Sequence, residues 1–254
     1  MRYFLPLIVG CALLGFWEFY VAYAEIPKFV LPPPSAIGAA LVDNFAGLID
    51  ASLVTLRITG FAFFWAMVSG LGLAVLFTRA RAVELAFYPY VVTLQVTPVV
   101  AIAPLILIWV GFDNVETAMV IIAWIVAFFP VLTNSVQGLR SIDGQLHDLM
   151  TLSRANGWQR LLYLEIPAAL PAILTGAKIS AGLALIGAVV AEFVAGSGAS
   201  TGLAWRIIEA GNRLEIATMF AALFLLSVLG IGIFYLLSFV EWLALRRWHE
   251  SFQD

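Results

Sequence analysis

Residues 216–245 read IATMFAALFLLSVLGIGIFYLLSFVEWLAL, a run of 30 residues in which Glu241 is the only charged side chain. A helical membrane crossing needs about 20 predominantly apolar residues, so this run is long enough to span a bilayer. The whole chain has a matching composition: 63% of its 254 residues are hydrophobic and 11% are charged. Soluble domains average about 45–50% apolar and about 25% charged residues. The composition therefore excludes a soluble globular protein and predicts an all-α membrane protein.

Five further apolar stretches of comparable length precede this run. They are residues 3–23, 58–77, 85–110, 117–136 and 172–195. The longest connection free of a span is about 35 residues, whereas folded domains rarely have fewer than about 50. We therefore predict six transmembrane helices in a single transmembrane domain that covers residues 1–254.

The basic residues favour one orientation. With the N-terminus in the cytosol, nine of the 13 lysines and arginines lie on the cytosolic side and four lie outside. The cytosolic set is Arg2, Arg79, Arg81, Arg140, Arg154, Arg160, Lys178, Arg246 and Arg247, and the external set is Lys28, Arg57, Arg206 and Arg213. Because cytosolic loops carry the excess of lysine and arginine, the predicted topology is N-in/C-in.

The first apolar stretch has one feature of a cleavable signal. Ala22-Tyr23-Ala24 has the small-x-small form of a signal-peptidase site. Against cleavage, the stretch runs about 20 residues, whereas a signal h-region has 7–15, and it includes Trp17 and Glu18. We expect the span to be retained.

Residues 25–50 form the first external connector. It contains the helix-breaking run Leu31-Pro-Pro-Pro-Ser35, and Ser35 is a predicted cap for a helix over residues 36–48. Ile37, Leu41, Phe45 and Leu48 form an apolar stripe on that helix. The stripe indicates a helix at the outer membrane surface or against the bundle, and a simple connector is the alternative.

Residues 137–171 form the longest predicted cytosolic segment. Asp143 is a predicted N-cap for a helix over residues 144–156, and Gly157 stands where that helix would end in a left-handed turn. Its apolar face is Leu146, Leu149, Met150 and Ser153. A second helix over residues 158–165 leads into Ile166-Pro167-Ala-Ala-Leu-Pro171. The residues alone allow loop packing or docking of a partner.

This order of elements resembles the EAA loop of the permease subunits of bacterial ATP-binding-cassette (ABC) importers. That loop reads E-A-A-x-x-x-G and is followed nine residues later by I-x-L-P. Gly157 matches the glycine, and Ile166-Pro167 with Leu170-Pro171 matches the closing element. Thr151-Leu152-Ser153 departs from E-A-A, because Thr151 replaces the glutamate.

The resemblance covers most of the chain and is strongest to the nitrate/sulfonate/taurine-like branch. Further matching elements are Leu31–Ser35, Pro98 with Pro104–Phe112, Phe129-Pro130 with Asn134 and Gly138-Leu139, and Ala191-Glu192 with Gly202-Leu203. It implies a type I ABC importer permease fold and a multi-pass location in the bacterial inner membrane. It also implies a homodimeric channel with two cytosolic ATPase subunits and a periplasmic or lipid-anchored solute-binding protein, and no nucleic-acid partner.

The chain lacks the G-x-x-x-x-G-K-[ST] phosphate loop, so we expect ATP and Mg²⁺ to bind a partner subunit. This predicts no cofactor, metal or catalytic residue in the chain itself. The predicted ATPase-coupling residues are Leu146, Leu149, Met150, Ser153, Arg154, Gly157, Pro167 and Pro171.

Polar residues at membrane depth are costly and often line a pathway. Pro89, Pro98 and Pro104 interrupt the third span, and the carbonyls that prolines free are tolerated facing protein or water. The resulting pathway candidates are Gln95, Thr97 and Asn134. The alternative is that the prolines only shape packing and that Gln95 makes an interhelical hydrogen bond.

Glu192 is a further candidate, as a gate or periplasmic docking contact. The alternative is a structural bond to the Gly196–Gly202 loop. On the same span, Gly176, Ser180, Ala184 and Ala188 form a small-residue stripe. Such a stripe predicts a close helix interface within the subunit or across the dimer.

Two other function classes fit less well. A stand-alone secondary transporter would show internal repeats and several intramembrane charges, and a membrane enzyme would need catalytic groups around His147 or His249. Only Lys178 and Arg57 are candidate intramembrane cations. Their scarcity favours a neutral or heterocyclic solute, or a channel with no tight site.

Overall fold

A computed structural model describes residues 4–195 and 201–246 of the chain. Within these residues the secondary structure is helical, and no strand is present. The helices are α1 Phe4–Tyr23, α2 Pro34–Asp43, α3 Phe45–Arg79, α4 Arg81–Val96, α5 Val99–Val110, α6 Val115–Arg140, α7 Gly144–Leu152, α8 Gly157–Arg160, α9 Ile166–Ala195, α10 Leu203–Asn212 and α11 Ile216–Leu245. Arg2, Arg247, His249 and residues 196–200 of the Gly196–Gly202 loop lie outside the described residues.

Five helical segments are long and apolar enough to cross a membrane. They are Phe4–Tyr23, Phe45–Arg79, Phe112–Arg140, Gly157–Ala195 and Ile216–Leu245. These segments contain all but one of the predicted spans, and several extend further because the adjoining loops continue the helix.

The third predicted span is broken rather than continuous. Its two parts, α4 and α5, meet at an angle of 105°. The break falls at Thr97, whose backbone is extended with φ −69° and ψ 128°. The ring of Pro98 disfavours a helical conformation for the residue before it, so the helix ends there.

Two ion pairs show that the broken pair crosses the membrane. Arg79 at the end of α3 pairs with Glu165, 2.7 Å away, and Glu84 at the start of α4 pairs with Arg140 at the end of α6, 2.5 Å away. The end of α6 therefore lies on the same side as the α3–α4 turn. Since α6 itself crosses once, α4 and α5 together must cross once in the opposite direction. With the broken pair counted as one span, the helices of the described residues account for up to six crossings, in agreement with the prediction.

The described contacts divide the chain into two compact units. The first contains residues 1–55 and 196–229, within the described ranges. Its core is formed by Ala40, Leu48, Ala51, Leu203, Ala221 and Ala222. The N–H of Leu203, at the start of α10, donates to Thr55 Oγ1 at 2.9 Å.

The external connector differs from its prediction in two respects. The Ser35 side chain does not cap α2; its hydroxyl and its N–H donate instead to the Glu18 carboxylate at 2.7 and 3.0 Å. The predicted helix over residues 36–48 ends at Asp43, and Leu48 lies in α3 with 2% of its surface exposed. Leu48 lies in the core of the first unit, and Ile37 and Leu41 pack against it, so this part of the stripe lies against helices, whereas Phe45 is 55% exposed.

The second unit contains residues 56–195 and 230–254, within the described ranges. Its centre is the pair α6 and α9, which approach closely at three glycines. A Cβ added to Gly138 would lie 2.7 Å from Ala172 Cβ, one on Gly176 would lie 2.9 Å from the Pro130 carbonyl oxygen, and one on Gly187 would lie 2.7 Å from Ala123 Cα.

The predicted small-residue stripe lies in this interface. Ser180, Ala184 and Ala188 are fully buried, and the Ser180 hydroxyl donates to the Ala127 carbonyl at 2.7 Å. Of the two interfaces that the sequence allowed, the stripe forms the one within the chain.

We expect Gly187→Ala to destabilise the protein, because the added methyl group would meet the backbone of Ala123 in α6. Overpacking of this kind costs about 1–3 kcal/mol. Gly182→Ala is the matched control on the same helix, since a Cβ there meets nothing within 4 Å. Thermal unfolding in detergent measures both variants, and equal midpoints would contradict this account of the interface.

Candidate coupling site

The helix α7 begins as the sequence predicts. The Gln145 N–H donates to Asp143 Oδ1 at 2.9 Å, so Asp143 is the N-cap. This bond satisfies one of the free N–H groups of the first turn. Asp143 therefore fixes the point at which the chain turns from α6 into α7.

The end of α7 differs from the prediction. The helix stops at Leu152 rather than at Asn156, and Arg154 rather than Gly157 adopts the left-handed conformation, with φ +52°. The Ala155 N–H donates to the Met150 carbonyl at 3.0 Å and the Arg154 N–H donates to Thr151 at 3.0 Å. These two bonds form a Schellman motif, which usually has glycine at the position that Arg154 occupies.

Gly157 instead begins the next helix, α8. The side chain of Asn156 accepts from the Gln159 N–H at 2.8 Å, while the Gln159 side chain accepts from the Asn156 N–H at 2.9 Å. This reciprocal capping box explains why α8 starts here. The predicted second helix over residues 158–165 is part of a longer helical segment, with a π-helical turn at Leu161–Glu165 that leads directly into α9.

Pro167 and Pro171 lie in the first turns of α9. The helix passes through both, so they do not mark a break between the loop and the span.

The loop exposes a band of large apolar side chains. The exposed fractions are 43% for Leu146, 57% for Leu149 and 82% for Leu152. Trp158 and Tyr163 are each 73% exposed. No residue of α7 is buried within the described chain. Leu146, Leu149 and Leu152 follow one another at a spacing of three on α7 and so share one exposed apolar face, which favours docking over loop packing.

Leu152, Trp158 and Tyr163 were not among the predicted coupling residues. Leu152 follows Leu149 at a spacing of three, so helical periodicity alone could have included it. Met150, which was predicted, is half-buried, and Ser153 caps α7 by donating to the Leu149 carbonyl at 2.9 Å.

Thr151 occupies the position at which the EAA pattern has glutamate. Its hydroxyl accepts a hydrogen bond from Arg160 at 3.1 Å and donates to the His147 carbonyl at 2.9 Å. Within the described residues, Arg160 Nε has no hydrogen-bond partner. A neutral hydroxyl thus stands where a carboxylate would neutralise Arg160.

Two charged residues that the sequence analysis did not place at the loop, Arg79 and Glu84, pair with charged residues at its two ends. Arg79 donates to Glu165 at 2.7 Å and to the Gly157 carbonyl at 3.2 Å, while Arg140 donates to Glu84 at 2.5 Å. The sequence shows these charges only as basic and acidic residues near span ends, and it does not show which ends are neighbours.

The four pathway candidates are not gathered at one place. Gln95 is exposed and Thr97 is half-buried at the end of α4, where the Thr97 hydroxyl donates to the Thr93 carbonyl at 2.7 Å. Asn134 Nδ2 donates to the Pro130 carbonyl at 2.9 Å within α6, beside Gly176. Glu192 in α9 is completely buried. Their role in a pathway stays a prediction.

Both candidate intramembrane cations are ion-paired. Lys178 Nζ lies 2.5 Å from Glu241 in α11, and Arg57 pairs with Glu116 at the start of α6. Neither cation therefore offers an uncompensated positive charge to an anionic solute.

Comparison with known proteins gives consistent matches. A family model described as the binding-protein-dependent transport system inner membrane component matches residues 34–248. The chain is 35% identical over 241 residues to the riboflavin transport system permease protein RibX of Chloroflexus aurantiacus, covering 94% of this chain and 88% of that one. It is 32% identical over 227 residues to the formylaminopyrimidine transport permease protein ThiX of Halalkalibacterium halodurans, covering 89% and 88%.

A third relative and a solved structure extend these matches. The putative aliphatic sulfonates transport permease protein SsuC of Bacillus subtilis is 28% identical over 251 residues, covering 97% of this chain and 88% of that one. A chain of the MetNI methionine ABC transporter in an inward-facing conformation has a TM-score of 0.66 at 19% identity, covering 78% of this chain and 96% of that one. The predicted type I importer permease fold is confirmed by this likeness.

We expect Arg154→Gly to be more stable than Arg154→Ala. The two variants lose the same charge, and they differ only in the Cβ that makes the left-handed conformation costly, by about 1 kcal/mol. Thermal or denaturant unfolding of the purified variants measures the difference. Equal stability of the glycine and alanine variants would contradict the Schellman motif at Arg154.

Proposed function

The chain belongs to the binding-protein-dependent transport system inner membrane component family, and we propose that two copies of it form the translocation pathway of an importer. It is the permease component of an ABC import system and a multi-pass inner membrane protein. The family is not enzymatic, since ATP hydrolysis belongs to a separate subunit. The alternatives of a stand-alone transporter and a membrane enzyme are not favoured.

The proposed partners are two cytosolic ATPase subunits, which bind ATP and Mg²⁺, and a periplasmic or lipid-anchored solute-binding protein. The main support for the ATPase contact is the exposed apolar face of α7. Leu149 and Leu152 are 57% and 82% exposed on a helix with no buried residue in the described chain. A partner that covered them would remove this apolar surface from water, at about 25 cal/mol per Å².

The proposed coupling residues keep distinct roles within this contact. Leu146, Leu149 and Met150 provide apolar contact area, and Arg154 provides a charge at the end of the helix. Ser153 and Gly157 shape the turn that follows α7. Pro167 and Pro171 belong to the start of α9, which would carry the force of docking into the membrane.

For the pathway, we propose Gln95 and Thr97 first, because they lie at the break between α4 and α5. Backbone groups freed at such a break are tolerated in a membrane where they face protein or a water-filled cavity. Asn134 and Glu192 remain candidates that would need a change of conformation to face solute, since Asn134 is packed beside Gly176 and Glu192 is buried.

We expect Leu149→Asp to abolish co-purification of the ATPase, because it places a carboxylate in the apolar contact. The measurement is the ratio of ATPase to permease after affinity purification of the permease. Val42→Asp is the matched control: Val42 is also an exposed aliphatic residue, 73% exposed, but it lies on the external connector. The complex should survive Val42→Asp, and survival of the complex in Leu149→Asp would contradict the assignment.

The same experiment tests the proposed orientation. If the cytosolic ATPase is held through α7, then α7 is cytosolic. Four crossings separate the N-terminus from α7, namely α1, α3, the broken pair and α6, so the N-terminus lies on the same side. A further two crossings by α9 and α11 return the C-terminus there, which is the N-in/C-in topology.

We expect the solute to be neutral or heterocyclic rather than a small sulfonate. This is supported by the ion-paired states of Lys178 and Arg57 and by the higher identity to relatives named for riboflavin and formylaminopyrimidine transport than to one named for sulfonates. The measurement is calorimetric binding of riboflavin, of formylaminopyrimidine and of taurine to the solute-binding protein that serves this permease. Binding of taurine without binding of riboflavin or a pyrimidine would contradict the expectation.

A further inference from the structure

The short turn between α3 and α4 contacts both ends of the loop that carries α7. Arg79, the last residue of α3, donates to Glu165 at 2.7 Å and to the Gly157 carbonyl at 3.2 Å. Glu84, in the first turn of α4, accepts from Arg140 at 2.5 Å. Arg140 ends α6 and Glu165 immediately precedes α9, so the loop is held where it leaves one span and where it enters the next. We call the pairs Arg79–Glu165 and Glu84–Arg140 the clamp.

In each pair of the clamp the carboxylate is less exposed than the arginine, and Glu165 is buried. The side chains of Glu165 and Glu84 are 9% and 18% exposed, against 37% and 48% for their arginine partners. Ion pairs exposed on both sides are weak and screened by salt, whereas a buried carboxylate is costly without its partner. The Arg79–Glu165 pair therefore holds the turn and the loop together more firmly than a surface ion pair would, and the more exposed Glu84–Arg140 pair adds a second, weaker contact.

Helix α4 connects the clamp to the break between α4 and α5. It begins at Arg81 and runs for 16 residues, which is about 24 Å at 1.5 Å per residue. Gln95 and Thr97 lie at its far end, next to the 105° break. Pro89 removes one internal hydrogen bond, but α4 continues through it without a break, so a displacement imposed at the first turn of the helix is carried to its last.

We propose that the clamp is a positioning device that transmits movement of the docked loop to α4, and through α4 to the break at Thr97 and Pro98. The inference rests on the proposed function, in which an ATPase moves α7. The clamp adds a second route beside the covalent one: α6 and α9 receive the movement through the chain itself, whereas α3 and α4 receive it through the two ion pairs.

The test measures distances between copies of the permease in the complete complex with its ATPase. The single cysteine, Cys11, is replaced by alanine, and a spin label is placed either at Gln145 in α7 or at Tyr90 in α4, both of which are exposed. Double electron–electron resonance gives the label-to-label distance before and after trapping with Mg-ATP and vanadate. With the clamp intact, we expect both distances to shift on trapping.

The deciding variant is Arg79→Gln combined with Glu84→Gln. The Gln145 distance should shift as before, and the Tyr90 shift should fall to less than half of its original size. An unchanged Tyr90 shift in this variant would overturn the inference. If the Gln145 distance fails to shift with the clamp intact, or if no pair distance between copies is found, the proposed function itself fails.

Two further variants separate transmission from stability. Glu84→Arg with Arg140→Glu reverses one pair and should restore the Tyr90 shift relative to Glu84→Gln with Arg140→Gln. Glu116→Gln breaks the pair with Arg57, which lies away from the loop, and should leave both shifts unchanged. Loss of the Tyr90 shift in Glu116→Gln, or no recovery on charge reversal, would show that the clamp acts only through stability and would overturn the inference.

Discussion

The close contact between α6 and α9 is the constraint on which the second unit depends. In a bilayer, lipid is as apolar as the helices, so helix association depends on how closely the backbones can pack. Gly138, Gly176 and Gly187 allow the two helices to meet backbone to backbone over most of their length. The loop that carries α7 joins the end of α6 to the start of α9. Its base is therefore set by the most tightly packed pair in the unit.

Electrostatics complements this packing at one end of the bundle. The interface of α6 and α9 contains small and apolar groups and the Ser180 hydroxyl, whereas the contacts of the α3–α4 turn with the loop are ionic and hydrogen-bonded. Tight packing gives a contact that resists sliding. Ion pairs between side chains of several rotatable bonds tolerate small rotations, so the two kinds of contact suit a rigid core and an adjustable rim.

The sequence predicts the large features because they follow from composition and local chemistry. The helical class, the apolar spans and the Asp143 cap depend on residues close together in the chain. Most errors of the prediction occur where a residue far away in the chain determines which contact a side chain makes. Ser35, for example, hydrogen-bonds to Glu18 instead of capping α2. The end of α7 is a local exception: it lies four residues earlier than predicted, because Arg154 rather than a glycine adopts the left-handed conformation. The ion pairs of Arg79 and Arg140 could not be predicted from the sequence, because they join residues 86 and 56 positions apart.

The exposed apolar face of α7 also affects how long an unassembled subunit survives in the cell. A newly inserted subunit exposes the leucine side chains of α7 in a loop between two membrane helices. Such a surface is what chaperones and membrane proteases recognise in an incomplete protein. Unassembled copies would therefore be short-lived, and the cellular amount of the permease would follow the supply of its ATPase.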